Sequence, residues 1–406
     1  MSGDEARPIR DLPLITPRDR DIDDHAYLAE AWAMGPLVRD TMGILHSFPH
    51  DSFLDLLDEG KTRQVETEGA LARGITSGPI FDFLSNSLLT SNGEVHRNRR
   101  TPLARSFSFP LMKALRPSVA QAAEALIAPL ATAGKVAILD QIAGPMPAQV
   151  IAEILGLPQA DIPSFTRQVY SAIRALAARS PEVMREAAAD MGDLSSYVSN
   201  LIAQRRRDNK TDFLSDFLAA TADGPLSEDE IRFSVVTLII AGSDTTRAAM
   251  AITLARLLQH PKQWAMLVSD PDHWKGPAVE EGLRHDPVVG ALGRIAVTKF
   301  VLSGTRISPG TLIMPSILTA TRDPAQFANP DRFDITRDDH FRYSPAFGGG
   351  VHRCLGEALA RIELEESIAA FARHWPNARL AGDVPKMRGI TGTRGIEEYQ
   401  VHPGGL

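Results

Sequence analysis

Around its single cysteine, the sequence reads Phe347-Gly348-Gly349-Gly350-Val351-His352-Arg353-Cys354-Leu355-Gly356. Three consecutive glycines allow backbone conformations that are closed to other residues, and they let a flat ligand approach the chain closely. A helical pattern follows from Leu355 to about Arg373, so Cys354 is expected near a helix N-terminus, where backbone N–H groups favour a thiolate. A thiolate on a glycine loop is a nucleophile or a metal ligand. An inert buried cysteine is the alternative, and the glycines on both sides disfavour it.

Composition limits the class of protein. The chain has 406 residues, enough for one large domain or two to three ordinary ones. Apolar residues make up 44% and charged residues 23%, as in soluble globular proteins. The net charge of −7 disfavours general binding to nucleic acid or anionic membranes. A single cysteine excludes intramolecular disulfides, Cys-based zinc sites and Cys-ligated iron–sulfur clusters.

The sequence also predicts the location of the protein. Its first residues, MSGDEARPIRDLP, are polar and lack the apolar core of a signal peptide. The longest strongly apolar run, near residues 235–241, is far shorter than the roughly 20 residues that a membrane span needs. We therefore expect a cytoplasmic protein with no membrane association.

Periodicity predicts a mainly α fold with a minor β part. Residues 1–25 are charged and contain prolines, which predicts an extended lead-in, and residues 26–406 are expected to form a single domain. From about residue 26 to residue 261, apolar side chains recur at helical spacing. Residues 287–314 and 390–401 instead show alternation, β-branched side chains and Gly/Pro turns, which predict short strands.

One predicted helix is unusually long. Ser227-Glu228-Asp229-Glu230 fits a capping box, and the pattern ends before Pro261. Its middle reads Ile240-Ala241-Gly242-Ser243-Asp244-Thr245-Thr246, a polar and weakly helical patch in which the glycine alone costs up to about 1 kcal/mol against alanine. Such a local inconsistency often marks a functional site. The alternative is a packing notch with a buried, satisfied aspartate.

With these two segments, the sequence resembles the cytochromes P450. The loop at residues 347–356 matches the family's haem-binding pattern F-G-x-G-x-H-x-C-x-G, and further motifs follow the family's order: H-x-x-x-R at residues 96–100, A-G-x-D-T-T at 241–246, E-x-x-R at 281–284 and a meander-like P-D-R-F at 330–333. The resemblance implies the cytochrome P450 fold, with a long central helix crossing the haem and small β-sheets.

The resemblance also assigns the cofactor. It implies haem b, with Cys354 as the axial thiolate that pushes electron density onto the iron. Phe347, Gly348 and Gly356 would shape the loop around the sulfur, since backbone N–H groups near a ligand tune its donation. The residues that match the family's haem propionate contacts by position are His96, Arg100, Arg294 and His352.

Catalytic and supporting roles follow from the same motifs. Asp244 and Thr245 would deliver protons to the reacting oxygen, and Gly242 would open the helix groove where oxygen sits. The structural alternative is a Thr245 hydroxyl bonded back to a carbonyl and an Asp244 in a salt bridge. Glu281, Arg284 and Arg332 would form a buried ionic network that braces the haem loop, a structural role.

The sequence says less about the substrate. By position in the fold, the pocket would be lined by Thr237, Ile240, Ala241, Val289, Ala291, Leu292, Phe81 and Phe83, with residues 75–83 as a loop that covers it. These residues are mostly small or apolar, so we expect a small-to-medium apolar substrate, such as a terpenoid or an aromatic compound. Arg174 or Arg394 could anchor a carboxylate.

Electrons are expected from a separate protein. The chain has no G-x-G-x-x-G after a strand, and its single cysteine cannot hold an iron–sulfur cluster. Residues 97–116 contain six basic and no acidic residues, against the chain's net charge. We expect an acidic ferredoxin to dock near Arg97, Arg105 and Lys113, with a flavin reductase that uses NAD(P)H. A solvated basic face is the alternative; the segment lacks a nucleic-acid-binding motif.

The predicted function is therefore a monooxygenase that inserts one oxygen atom of O2 into its substrate, acting as a monomer. A peroxide-driven haem peroxygenase is an alternative, although such an enzyme would normally lack the Asp244–Thr245 pair. A non-catalytic haem sensor or carrier would not need that pair. A Cys/His hydrolase would leave the glycine loop and the other motifs unexplained.

Overall fold

The structure is a computed structural model that describes residues 6–18, 22–177, 181–208, 210 and 212–404. Helices dominate the described chain. In chain order the α-helices are α1 (Asp24–Ala33), α2 (His50–Asp55), α3 (Glu68–Leu71), α4 (Pro79–Asn86), α5 (Gly93–Ser106), α6 (Phe109–Ala114), α7 (Arg116–Ile127), α8 (Pro145–Ile154), α9 (Ile162–Ala177), α10 (Pro181–Arg205), α11 (Phe213–Thr221), α12 (Glu228–Gln259), α13 (Pro261–Ser269), α14 (Pro271–His285), α15 (Ile317–Ala320) and α16 (Glu357–His374).

The strands are short. They are β1 (Leu37–Arg39), β2 (Leu45–Ser47), β3 (Thr62–Gln64), β4 (Val136–Ala137), β5 (Arg294–Ala296), β6 (Phe300–Leu302), β7 (Thr305–Ile307), β8 (Leu312–Pro315), β9 (Arg379–Leu380), β10 (Met387–Arg388), β11 (Gly395–Ile396) and β12 (Gln400–His402). The predicted fold class, mainly α with a minor β part, is confirmed. Strands are present where residues 287–314 and 390–401 predicted them, whereas β1 to β4 interrupt the region that was predicted as helical.

The chain divides into two compact units. Unit 1 comprises Met1–Val65, Ala251–Cys354 and Asp383–Glu397, and unit 2 comprises Glu66–Met250, Leu355–Gly382 and Glu398–Leu406. The single domain expected for residues 26–406 stays a prediction. Within the lead-in, a short helical turn spans Ile9–Asp11 and α1 already begins at Asp24.

Unit 1 contains a five-stranded sheet in the order β1-β2-β8-β5-β3, in which β2 and β8 are parallel and the other pairs antiparallel. It also contains the two-stranded pairs β6–β7 and β10–β11. The β6–β7 hairpin turns at Ser303 and Gly304, both with positive φ, the geometry that a two-residue hairpin requires. Apolar residues of the large sheet, such as Leu37, Leu45 and Ile313, are completely buried.

Unit 2 contains a larger apolar core and a three-stranded sheet, β4-β12-β9. Side chains from its helices form one buried cluster, with Phe83, Phe165, Phe217 and Phe233 among its largest members. This cluster is built from the helical periodicity that the sequence shows between residues 80 and 240.

Helix α12 is the long helix that the sequence predicts. Its capping box forms in both directions: Ser227 N donates to Glu230 Oε2 over 2.9 Å, and Glu230 N donates to Ser227 Oγ over 3.2 Å. By length and composition this helix could cross a membrane, but 67% of its most apolar window is buried inside the protein. That burial is typical of a core helix.

Candidate active site

The cysteine loop has a defined backbone geometry. Gly348 and Gly350 have φ values of +67° and +61°, in the left-handed region that favours glycine. Cys354 N donates to Phe347 O over 2.9 Å, which closes the loop. A Cβ at position 349 would lie 2.7 Å from Leu57 Cδ1, so a larger residue there would require the Leu57 side chain to shift. Cys354 itself is exposed, and α16 begins three residues after it.

Arg294 lies on β5 and is almost completely buried. Its Nε donates to Thr62 Oγ1 over 2.9 Å, and its Nη2 donates to the Thr62 carbonyl over 2.9 Å. Burial lowers the pKa of this guanidinium from 12.5 to about 10. No carboxylate among the described residues forms an ion pair with it. A buried cation held by neutral partners suits an anionic ligand, because that ligand would compensate its charge.

Two further predicted propionate contacts lie one turn apart on α5. His96 is buried, and burial, together with the nearby Arg100 and Arg97, lowers the pKa of His96 from 6.5 to about 4. It is therefore neutral at physiological pH and can still donate one ring N–H. Arg100, four residues on, lies on the same helix face and is half-buried. This pair is chemically suited to a carboxylate. His352, the fourth predicted contact, is half-buried in the helical turn at Gly350–His352.

The polar patch of α12 adopts the interactions expected for a structural role, a back-bonded threonine and a salt-bridged aspartate. Thr245 Oγ1 donates to Ala241 O over 2.8 Å, and Arg247 Nη2 donates to Asp244 Oδ1 over 2.7 Å. These contacts are compatible with the predicted role of Thr245 in proton delivery. Because the Thr245 proton is directed at a carbonyl, the oxygen's lone pairs remain acceptors for a water molecule.

Packing explains Gly242. A Cβ at this position would lie 3.0 Å from Ile151 Cδ1, so the glycine lets α12 and α8 approach each other closely. The predicted groove for oxygen at Gly242 stays a prediction.

The ionic network around Glu281 forms, but with a different third member. Arg284 Nε and Nη2 donate to the two carboxylate oxygens of Glu281 over 2.6 and 2.9 Å, and both residues are buried. The side chain of Arg332 is 69% exposed and pairs with Asp334 instead; only its carbonyl joins the network, accepting from Arg284 Nη2 over 3.1 Å. The sequence assignment of the Arg332 side chain to the network is therefore wrong.

Arg337 takes the place predicted for Arg332. Its Nε lies 3.5 Å from Glu281 Oε2, its side chain is 6% exposed, and it also donates to Asp339. His340 approaches Glu281 Oε2 to 3.9 Å. Sequence reasoning missed both residues because they lie in an irregular segment with no periodicity, where spacing from a motif does not determine which way a side chain points.

The predicted pocket residues fall into two sets. Thr237, Ile240, Ala241, Phe81 and Phe83 belong to unit 2, and Val289, Ala291 and Leu292 belong to unit 1. In the first set, Phe83 and Ile240 lie in the apolar core cluster, and the Thr237 hydroxyl contacts Phe233 O and Ser87 Oγ. In the second set, Leu292 Cδ1 would lie 3.7 Å from a Cβ at Gly348, so this side chain borders the cysteine loop.

Two other pocket expectations need revision. Residues 79–83, predicted as part of a loop, form the first turns of α4, which begins at Pro79 after a Gly78 with a φ of +89°. Arg394 is buried and pairs with Asp24 over 3.1 Å, so it does not serve as a carboxylate anchor. The side chain of Arg174 lies outside the described part of the structure.

Three of the six basic residues between positions 97 and 116 are exposed: Arg97, Arg105 and Lys113. Arg99 is buried and pairs with Glu230, and Arg116 pairs with Glu365 and Glu366. The exposed apolar side chains Phe109 and Leu111 lie on α6 beside Lys113. The segment therefore presents basic residues together with an apolar surface.

The comparison with protein families decides the assignment. The model of the family described as "Cytochrome P450" matches residues 161–273 and 277–376, more than half of the chain. The chain belongs to the cytochrome P450 family. It is 39% identical over 383 residues to the plant-inducible cytochrome P450-pinF1 of Rhizobium radiobacter, covering 94% of this chain and 90% of the relative.

The chain is also similar to a protein named as a monooxygenase and to a solved structure of the same fold. Luteothin monooxygenase of Streptomyces thioluteus is 34% identical over 315 residues, covering 77% of this chain and 76% of that protein. The crystal structure of CalO2 superposes with a TM-score of 0.87 at 29% identity, covering 95% of this chain and 98% of CalO2. The protein is thus an enzyme of the cytochrome P450 monooxygenase class, and the family implies haem b with a cysteine thiolate ligand. The exposed thiol of Cys354 and the buried Arg294, which forms no ion pair with a described carboxylate, fit that group.

Proposed function

We propose that this P450 is a haem-thiolate monooxygenase that inserts one oxygen atom of O2 into a small-to-medium apolar organic substrate, such as a terpenoid or an aromatic compound. Its electrons come from an external ferredoxin, reduced by a flavin enzyme with NAD(P)H, and it acts as a cytoplasmic monomer. The observation that carries the proposal is the single, exposed Cys354 at the end of a glycine loop that its own backbone N–H closes.

The division of labour follows from the residues. Haem b, when bound by Cys354, supplies the redox chemistry that activates dioxygen. His96, Arg100, Arg294 and His352 would hold its two propionates. Asp244 would exchange protons through its carboxylate, and Thr245 would accept a hydrogen bond from a water molecule, because its own proton is given to Ala241 O. The balanced reaction consumes the substrate, O2, two electrons and two protons, and it yields the substrate with one added oxygen atom and one water.

Coupling tests the proton-delivery role. Thr245→Ala should keep NADH consumption but divert oxygen to hydrogen peroxide, so that product per NADH falls. Ser243→Ala is the matched control, because Ser243 Oγ donates to Ile239 O over 2.7 Å in the same back-bonded geometry and is completely buried. Labelled ¹⁸O₂ should place one labelled atom in the product. Equal coupling in both variants would refute the assignment of Thr245.

Substrate and reaction class can be tested together. A library of apolar compounds, screened by the shift of the haem Soret band, should identify ligands that the pocket accepts. Turnover of such a ligand with NADH, a reductase and a ferredoxin distinguishes a monooxygenase from a sensor or carrier. Turnover driven only by hydrogen peroxide, with no activity from NADH, would favour the peroxygenase alternative.

Docking of the ferredoxin is proposed on the exposed basic residues of α5 and α6. Because exposed charges are screened over about 8 Å at physiological ionic strength, ferredoxin-supported turnover should fall as salt rises. Charge reversal at Arg97, Arg105 or Lys113 should raise the apparent Michaelis constant for ferredoxin and leave the Soret shift with substrate unchanged. Lys262→Glu, an exposed lysine on α13, is the control.

If all three reversals leave reduction kinetics unchanged, the partner docks elsewhere. The alternative surface surrounds the exposed Tyr343, whose ring centroid lies 5.4 Å from Arg342 Cζ and 5.0 Å from Arg353 Cζ. Arg353 directly precedes Cys354 in the chain.

A further inference from the structure

The carboxylate of Asp244 accepts hydrogen bonds from an arginine on the same helix. Arg247, three residues on, donates to Asp244 Oδ1 through Nη2 over 2.7 Å and through Nε over 3.2 Å. Both donors converge on one oxygen, and no described residue donates to Oδ2. The two donors therefore fix the side chain of Asp244 through a single carboxylate oxygen.

Arg247 in turn rests on an aromatic ring from another helix. Its Cζ lies 5.0 Å from the ring centroid of Tyr170 on α9, within the range of a cation–π contact. Tyr170 is itself anchored, because its Oη donates to Gly144 O over 2.9 Å. Burial raises the pKa of Tyr170, which keeps the phenol protonated as the donor in this bond.

The anchor point is tightly built. Gly144 follows a five-residue π-helix, Leu139–Ala143, a rare element that occurs frequently at functional sites. A Cβ at Gly144 would lie 2.7 Å from Leu139 O, 3.6 Å from the Tyr170 ring and 3.8 Å from Arg247 Cδ. A side chain at this position would clash with the Leu139 carbonyl, whereas the Tyr170 ring and Arg247 Cδ lie at ordinary contact distances.

We infer that Arg247 is a positioning residue for Asp244, with Tyr170 and the Gly144 carbonyl as its platform. The inference rests on the proposed function, since it specifies how the proposed proton-exchanging carboxylate is held. The alternative is an ordinary surface pair at i,i+3. An ordinary pair of that kind needs no aromatic platform from a second helix, whereas here both side chains are largely buried, with 25% exposure for Arg247 and 18% for Asp244.

The same helix supplies a matched control. Arg232 pairs with Asp229 at the same spacing over 2.9 Å, and its Cζ lies 4.8 Å from the ring of its neighbour Phe233. Asp229 is 61% exposed and lies in the first turn of α12, far along the helix from Asp244. Arg232→Met therefore removes an equivalent pair that has no role in the proposed chemistry.

The platform can be tested in steps. Tyr170→Phe keeps the ring and loses only the anchor, whereas Tyr170→Leu removes the cation–π contact. The free energy of one cation–π contact corresponds to about a fivefold change in the population of the Asp244 conformer that Arg247 stabilises. We expect product per NADH, measured with the ligand of largest Soret shift, to fall about fivefold in Arg247→Met and Tyr170→Leu. We expect a smaller loss of coupling in Tyr170→Phe and partial rescue of coupling in Arg247→Lys. We expect no loss of coupling in Arg232→Met.

A crystal structure of each variant supplies a readout independent of activity. Asp244 should occupy one side-chain conformer in the wild type and in Arg232→Met, and more than one in Arg247→Met and Tyr170→Leu. A single unchanged conformer together with unchanged coupling in the last two variants would overturn the inference. If Thr245→Ala uncouples the enzyme while these variants do not, the inference alone fails; if Thr245→Ala has no effect, the proposed proton delivery fails first.

Discussion

Removing Arg284 tests the buried ionic network around Glu281 in unit 1. The guanidinium donates to both oxygens of Glu281 and to the carbonyls of Thr321, Pro330 and Arg332. Arg284→Met leaves Glu281 completely buried with Arg337, at 3.5 Å, as a remaining cationic partner. His340, at 3.9 Å, does not replace the lost charge, because burial lowers the pKa of its imidazole below the ordinary value. Removing one partner of a buried ion pair costs ~3–5 kcal/mol, because the other charge stays buried without compensation.

Substitution of Arg337 and of Arg332 distinguishes the network seen in the structure from the network predicted from the sequence motif. Arg337→Met should lower the free energy of unfolding by about 1–3 kcal/mol, since it removes hydrogen bonds from a charged group to Asp339 and to the carbonyls of Ala328 and Asn329. Arg332→Met should cost about 0–1 kcal/mol, the range of an exposed salt bridge. Urea unfolding at pH 7, followed by far-ultraviolet circular dichroism, measures all three variants against the wild type.

The order of the three variants is the result to examine. We expect Arg284→Met to be the least stable, then Arg337→Met, then Arg332→Met, and haem content after purification to fall in the same order. An Arg332→Met variant that is destabilised as much as Arg337→Met would show that the network is built as the motif suggested. An Arg284→Met variant within about 1 kcal/mol of the wild type would refute the buried-charge argument altogether.

Two more predictions concern stability. Gly282→Ala should lower the free energy of unfolding by about 1–3 kcal/mol, because the new Cβ would lie 2.3 Å from Thr253 Oγ1. Gly276→Ala lies in the same helix with nothing within 4 Å of its new Cβ, so it should be neutral or stabilising by up to about 1 kcal/mol. Thermal unfolding compares the two variants. Burial lowers the pKa of His25 from 6.5 to about 4, so the unfolded chain binds more protons between these values and the free energy of unfolding should fall as pH drops from 6.5 to 4. His25→Gln should flatten that dependence by about one proton, and the exposed His273→Gln should not.

Local signals predicted the helices well. The capping box before α12 and the His260-Pro261 step placed the helix within a residue of its observed bounds, Glu228–Gln259, because both signals act on adjacent backbone groups. The strands near residues 294–315 were also visible, since alternation and turns are local. By contrast, β2 is only three residues long and pairs in parallel with β8, about 270 residues away, so no local pattern marks it.

The site was predictable to the extent that chemistry follows from motif. The cysteine loop and the buried Arg294 fit the haem assignment that the sequence suggested. The positions of Arg332 and Arg337 were not predictable, because both are arginines in one irregular segment and only the folded chain determines which of them is buried. The platform of Tyr170 beneath Arg247 was equally hidden, since it depends on contacts between helices 77 residues apart in sequence.

Ligation of haem iron by Cys354 is the central claim, and the absorption spectrum of the reduced carbon monoxide complex tests it most directly. The wild-type protein should show the Soret band typical of thiolate ligation. Val351→Ser, an exposed position on the same loop, should keep that band. Cys354→Ser should lose it, because a serine hydroxyl cannot supply the anionic sulfur donor. A Cys354→Ser variant that retains haem with an unchanged band would contradict the assignment.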